Sequence, residues 1–471
     1  MHATVSDTTV ITSNYIDGVA RPAEAGRTYA LYNPARPDEL VGHAALSSAV
    51  DVDAAVLAAH AAYPAWSRTS YTERAAKLNE VADYLEAGQD DVDQRARLFC
   101  REHGKPIKET HLEVSRLGDR FRTTAAYADR LARDEIEHGP PFDTIIPRQP
   151  RGVTTLIVPW NWPLSILGAK LPQALMAGNT VVVKPSELSV LAPSITLQKI
   201  AEMFPPGVIN IVTGDATEIG DNLVGHPLVR FVNFTGSARI GKHVMKVAAD
   251  QLTPVTLELG GNDPAIVCAD ARLDDKAFMN MYLGTFMSSG QICMALKRLY
   301  VHRSRYDEVI EGLSAVCNRM VVGDGLLPET NIGPVNNAKQ LKTVTDMIGQ
   351  ARASGAEVRE CGQVPGEELY NGGGYFQRPA LVYNADPSLS VVREEQFGPA
   401  LPVMSFKSVD EVLGRANGTH FDLGGSIWTE DLDRGAALAR DLDCGTAWVN
   451  QHMNLAPDVP FGGVKWSGIG Y

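Results

Sequence analysis

Between Gly152 and Leu259 short β-branched runs alternate with helical patterns, and this alternation constrains the fold more than any other feature of the chain. The runs are Thr154–Val158, Thr180–Val183, Val208–Val212, Arg230–Phe234 and Val255–Leu259. Apolar residues at helical spacing fill Pro163–Met176, Ser189–Phe204, Glu218–Val224 and Ser237–Ala249. Strands joined through helices pair in parallel, because a parallel partner is reached only by a crossover long enough to hold a helix. The reading is an α/β protein with a doubly wound sheet. Such sheets take ligands beyond the carboxyl ends of their strands, which here carry Trp160-Asn161, Lys184 to Glu187 and Thr235-Gly236-Ser237.

A chain of 471 residues exceeds what one core holds. Helical patterns at Asp51–Ala62, Thr72–Glu86 and Glu109–Ala132 precede the alternating region. The breaker cluster His138-Gly139-Pro140-Pro141 then marks an excursion from the main body. Alternation resumes after Asp263 and predicts a second α/β domain. The divisions drawn are residues 1–131 with 151–260, the excursion 132–150, the second domain 261–447 and a C-terminal segment 448–471.

Composition removes several function classes. A formal charge of −13 argues against a nucleic-acid partner, whose phosphates such a surface repels. Met1–Asn14 is polar and lacks the basic-then-apolar order of a secretory leader, and no apolar run reaches bilayer length, so no membrane partner is expected. The six cysteines (Cys100, Cys268, Cys293, Cys317, Cys361, Cys444) are scattered without a C-x-x-C pair. That spacing fits neither a disulfide framework nor a zinc site, so no metal is expected and a reducing, cytoplasmic setting is the default.

Three segments carry candidate chemistry. Cys293 lies in Ser288-Ser289-Gly290-Gln291-Ile292-Cys293, among small residues that let a ligand approach; a buried inert thiol is the alternative. Glu258 closes an apolar run before Gly260-Gly261, either as a solvated strand-end carboxylate or as a general base. Asn161 precedes Trp162-Pro163 at a helix start, where it can cap the helix or donate to an oxyanion.

Taken with Lys184-Pro185-Ser186-Glu187, Phe234-Thr235-Gly236-Ser237, Glu395-Gln396-Phe397-Gly398-Pro399 and Pro460-Phe461-Gly462-Gly463, these segments resemble the aldehyde dehydrogenase superfamily, in family order from about residue 15 onward. The resemblance implies a Rossmann-like cofactor domain, a catalytic domain, and an oligomerisation arm at residues 132–150 completed by a C-terminal tail. It also implies that the segment 448–471 returns to the active-site region. Cys293 is then the nucleophile, Asn161 an oxyanion donor, Glu258 the base that activates water, and Lys170 a lysine near the site that could equally be a solvated helix charge.

The same resemblance assigns the cofactor. Gly236, Ser237 and Gly241 form a strand–turn–helix that seats pyrophosphate at a helix N-terminus. Lys184 and Glu187 match residues that hold the adenosine ribose, and a carboxylate there repels a 2′-phosphate, so NAD is preferred and NADP possible. Glu395 matches the residue for the nicotinamide ribose, with Phe397 against the ring and Trp160 and Leu259 beside the cofactor; without Phe397-Gly398-Pro399, Glu395 reads as a surface charge.

The resemblance also implies a small-molecule aldehyde as substrate, in a pocket built from residues beside Asn161, beside Cys293 and ahead of Pro460-Phe461-Gly462-Gly463. Trp162, Ile166, Met287, Ile292, Met294 and the segment Gln451 to Pro460, free of arginine and lysine, point to an uncharged medium-sized aliphatic or aromatic one. A semialdehyde-specific or coenzyme A-acylating enzyme, or a non-catalytic protein on this fold, are the alternatives; Glu258 favours hydrolysis over acylation. A homodimer or homotetramer is expected, although the family pattern continues beyond Gly470 with a tail, whereas the sequence stops at Tyr471.

Overall fold

Val181 and Val183 face one apolar core while Val182 faces another, because a strand turns successive side chains to opposite faces. In this computed structural model, which describes residues 9–470, these valines lie in the strand Thr180–Lys184 of an eight-stranded sheet. Its order is Gly468–Ile469, Val255–Glu258, Val229–Thr235, Val153–Ile157, Thr180–Lys184, Ile209–Ile211, Asn14–Ile16, Val19–Arg21. The five strands from Val255–Glu258 to Ile209–Ile211 are mutually parallel. Val153–Ile157 is central: the next two strands in the chain add on one side and the following two on the other. The order therefore reverses beside Val153–Ile157, opening a crevice where its carboxyl end meets that of Val229–Thr235.

Helices cover both faces. Ala49–Trp66, Ala216–Val224 and Ala238–Ala249 pack on the Val182 side, and Tyr71–Ala87, Gln89–His103, Leu117–Ala125 and Leu191–Ala201 on the Val181 side. A second sheet of seven strands runs Glu357–Glu360, Ala380–Tyr383, Ala400–Phe406, Leu296–His302, Asp263–Val267, Gly424–Trp428, Thr446–Val449, parallel except at its first pair. Asp275–Phe286 and Tyr306–Asn318 cover one face, Ala338–Ala353 and Val409–Ala416 the other.

Two expected helices are broken. Pro163–Met176 is two helices, Pro163–Gly168 and Leu171–Met176, separated at Lys170 (φ −128°), because Pro172 has no N–H to continue the ladder. Glu109–Ala132 is three, Ile107–Ser115, Leu117–Ala125 and Ala128–Leu131. Gln89–His103 is a further helix, whose many charges mask the buried Val92, Ala96, Phe99 and Cys100 stripe in the sequence.

The excursion is a two-stranded antiparallel ribbon, Glu135–Glu137 with Thr144–Ile146. After Thr446–Val449 the chain crosses back to the first sheet, where Gly468 pairs with Glu258. The N-terminal part of Met1–Asn14 and Tyr471, on which the leader and tail expectations bear, lie outside the described residues. Among the described residues no helix is long and apolar enough to cross a membrane. The same residues contain no group of three His, Cys, Asp or Glu poised to hold a metal ion.

Candidate active site

The backbone ahead of Cys293 turns through three successive left-handed residues, Ser288 (φ 54°), Ser289 (φ 56°) and Gly290 (φ 74°). Each non-glycine residue there costs about 1–2 kcal/mol, so the turn persists only because its surroundings hold it. Gly290 is obligatory, since a Cβ would stand 2.4 Å from the Gly398 carbonyl oxygen. Ser288 N donates to Glu109 Oε1 (3.2 Å), Ser289 Oγ to the Gly333 carbonyl (2.8 Å), and Asn336 N to Gln291 Oε1 (2.9 Å). Cys293 then emerges half-buried just before the strand Leu296–His302, unlike the fully buried Cys100, Cys268, Cys317 and Cys361.

Asn161 reaches this turn from the other sheet. Its Nδ2 donates to the Gln291 carbonyl at 2.9 Å, across 130 residues of sequence, and its side chain caps no helix. The capping alternative is thereby removed. Glu258 ends the strand Val255–Glu258 half-buried, and burial pushes its carboxyl up to about 7, opposed by Lys170. Lys170 is not a solvated helix charge: it is buried between the two short helices, and its Nζ donates to Asn233 Oδ1. Burial lowers the Lys170 ammonium, while Glu258 and the Cys293 sulfur act to raise it, so the three groups share one electrostatic neighbourhood. Burial pushes the Cys293 thiol up to about 12.

A buried ionic strut braces both walls. Lys105 Nζ donates to Glu113 Oε2 at 2.6 Å, both side chains fully buried, and lies 3.7 Å from the Trp162 ring centroid. Glu113 Oε1 accepts from Leu164 N and Ser165 N (2.9 Å each), satisfying the first turn behind Asn161. Glu109, one helical turn earlier, holds the Ser288 amide. Removing one partner of a buried pair strands the other's charge, so Glu113→Ala is expected to lose about 3–5 kcal/mol of stability. A denaturant midpoint unchanged from the parent overturns this, and Lys105→Met in the same chain should recover part of the loss.

Positions read as cofactor contacts gather at the sheet's carboxyl ends. Lys184 is buried at the end of Thr180–Lys184, and its ammonium makes only long contacts, 3.3 Å to the Pro185 carbonyl and 3.4 Å to Glu187. An ammonium this weakly satisfied has donors to spare for ribose hydroxyls. Ser237 caps the twelve-residue helix Ala238–Ala249, with Gly236 before it hydrogen-bonded to the Glu258 carbonyl at 3.0 Å. Gly241 allows close packing, since a Cβ would sit 2.4 Å from Leu259 Cδ2. Glu395 Oε1 accepts from Gly261 N (3.2 Å) and Lys297 Nζ (3.1 Å). Phe397, held at φ 47° with its carbonyl accepting from Gln340, meets Trp160 edge-on at 5.4 Å. These donors, carboxylates and aromatic faces fit a dinucleotide.

Lys105, Glu109, Glu113 and Lys297 fall in no motif of the sequence. A signal existed for the carboxylates: Glu109 and Glu113 stand four apart on the face shared with buried Val114, where solvated charges do not belong. Of the substrate-side positions, Trp162, Ile166, Met287 and Met294 are partly exposed, while Ile292 is buried.

A doubly wound sheet with a Gly236-Ser237 helix start at its switch point, joined to a second α/β unit that presents a half-buried thiol, is the layout of a dinucleotide-dependent oxidoreductase. Residues 21–471 match the sequence model of the aldehyde dehydrogenase family, and the chain belongs to that family. It is similar to 3-sulfolactaldehyde dehydrogenase of Pseudomonas putida, 36% identical over 97% of this chain and 92% of that one. It is likewise similar to the NADP(+) succinate-semialdehyde dehydrogenase of Escherichia coli, 36% identical over 97% and 93%. The structure of betaine aldehyde dehydrogenase from Staphylococcus aureus in complex with NAD+ superposes with a TM-score of 0.91 at 30% identity, covering 98% of this chain and 90% of the other. The reaction is thus the NAD(P)-dependent oxidation of an aldehyde to a carboxylic acid.

Proposed function

We propose that this chain oxidises an uncharged, medium-sized aliphatic or aromatic aldehyde through a thioester on Cys293, with NAD preferred. The observation that most supports the covalent route is the Asn161–Gln291 hydrogen bond, which brings a carboxamide from one sheet to the turn that carries the thiol on the other. Sulfur bonds to the aldehyde carbon, and the Asn161 carboxamide with the Cys293 N–H stabilises the resulting oxyanion. Burial keeps the thiol protonated, and its proton passes to solvent water as sulfur bonds to carbon. Glu258, whose carboxyl burial raises to about 7, acts in the second half-reaction. The bound dinucleotide supplies the hydride acceptor. Glu258 then takes a proton from the water that cleaves the thioester, giving the acid and the free thiol.

The uncharged-substrate reading rests on Trp162, Ile166, Met287 and Met294, together with Gln451 to Pro460, which contains Asp458 but no arginine or lysine. Relatives named for sulfolactaldehyde and succinate semialdehyde favour an anionic aldehyde as the second reading. Steady-state assays discriminate: kcat/KM is expected to favour hexanal or benzaldehyde over succinic semialdehyde, and the reverse order overturns the proposal. In the same assay NAD should outperform NADP, because the half-exposed Glu187 carboxylate beside Lys184 repels a 2′-phosphate. Equal efficiency with NADP removes that assignment.

A homodimer or homotetramer in a cytoplasmic setting completes the proposal. Its support is the ribbon of residues 135–146, which exposes Ile136, Phe142, Ile145 and Ile146, an apolar surface that association would cover. Light scattering of the same preparation is expected to give a mass above the monomer's 50.9 kDa.

A further inference from the structure

A buried lysine hydrogen-bonded to the carbonyl of Cys293 itself is used by neither the motif pattern nor the proposed chemistry. Lys297 is the second residue of the strand Leu296–His302, four residues after Cys293, and its side chain is almost fully buried. Its Nζ donates to the Cys293 carbonyl at 2.6 Å, the Gly261 carbonyl at 3.0 Å and Glu395 Oε1 at 3.1 Å. All three ammonium protons are thus committed, one to each wall of the site.

We propose that Lys297 is the positioning residue that ties the nucleophile's turn, the Gly260-Gly261 turn after Glu258, and the Glu395 carboxylate into one arrangement, and that it supplies the positive field beneath the Cys293 sulfur. The inference rests on the reading of Cys293 as nucleophile and Glu395 as a cofactor contact. Gly261 is required for it, since a Cβ would stand 2.6 Å from the Cys293 carbonyl oxygen. Glu395 is similarly confined, lying 2.3 Å from where a Cβ on Gly260 would fall.

The charges around the sulfur make the effect readable. Burial is the main influence raising the thiol, and Lys297 is the largest opposing charge. Glu395 from the loop after Ser390–Arg393, Glu258 from its strand end and Asp263 from Asp263–Val267 all push the thiol further up. Lys170 faces the sulfur from between the short helices. His452, whose Nε2 lies 3.1 Å from the Met294 carbonyl, is driven down to about 3 by burial and carries no charge at neutral pH.

The test is the pH profile of Cys293 alkylation by iodoacetamide in the full chain, followed by mass spectrometry of the Cys293 peptide with no aldehyde or dinucleotide present. Lys297→Met keeps the length of the side chain and removes the charge. Its profile is expected to move up by at least about one pH unit, a tenfold slower alkylation at fixed pH below the midpoint. Lys297→Arg keeps the charge, and is expected to stay within about threefold of the parent rate while weakening NAD binding, because a planar fork cannot make three convergent contacts. Glu395→Gln should move the profile the opposite way, to lower pH, and serves where Lys297→Met does not fold. A parent-like profile in Lys297→Met, or an unchanged or upward profile in Glu395→Gln, overturns the inference. The covalent reading fails separately, if Cys293→Ala still reduces dinucleotide; a silent Lys297→Met with an inactive Cys293→Ala sinks only the role of Lys297.

Discussion

Cys293→Ala is expected to abolish aldehyde-dependent NADH formation, a loss on the order of 10⁴-fold or more, while leaving NAD binding and the folded state intact. An aldehyde carbon is a poor hydride donor until a nucleophile has made it tetrahedral and electron-rich, so the loss falls on chemistry and not on affinity. No other thiol can substitute. Cys100, Cys268, Cys317 and Cys361 are buried, and the half-buried Cys444 is committed to the Thr446 carbonyl, away from Asn161 and Glu258. Rapid-mixing absorbance at the NADH band, with circular dichroism as the folding control, reads the result. Appreciable turnover in a folded Cys293→Ala chain removes the covalent route.

Glu258→Gln should divide the reaction in two. The glutamine keeps the size of the side chain but cannot take a proton from water, so the first hydride leaves and the thioester persists. One NADH per active site is expected as a burst, followed by a steady rate lower by about 10²–10⁴-fold. The pH dependence follows from burial of Glu258, which raises its carboxyl to about 7 against the opposing charge of Lys170. A base works only when deprotonated, so turnover limited by thioester hydrolysis rises as pH increases through about 7 in the parent, and this limb is missing in the variant. Lys170→Met removes the opposing charge and should carry the limb to higher pH. Unimpaired turnover in Glu258→Gln, or a parent profile flat between pH 6 and pH 8, would assign the base elsewhere.

The two sheets and the motif residues were legible for different reasons. Val181, Val182 and Val183 announce a strand buried on both faces, and Ser237 followed by a helical pattern announces a helix start; both depend on residues adjacent in the chain. The break at Lys170 is equally local, signalled by Pro172, but the apolar spacing continues across it and hides it. Asn161 was legible as a polar residue at a helix start, but its sequence allowed a cap and an oxyanion donor alike. The hydrogen bond to Gln291 removed the cap and left the oxyanion donor as the reading proposed.

Neighbouring residues alone thus dictated the α/β class and the parallel pairing, because backbone hydrogen bonding and side-chain alternation act over a few positions, whereas the candidate reactive side chains stood out only through the resemblance of their motifs to a family. Packing decided the rest: that Glu109 holds a strained turn 179 residues away, that Lys105 is neutralised by Glu113, and that Lys297 joins Cys293 to a carboxylate 98 residues distant. The energy of a buried charge depends on which partners the fold brings within 3 Å and on how completely water is excluded, and neither is a property of the local chain.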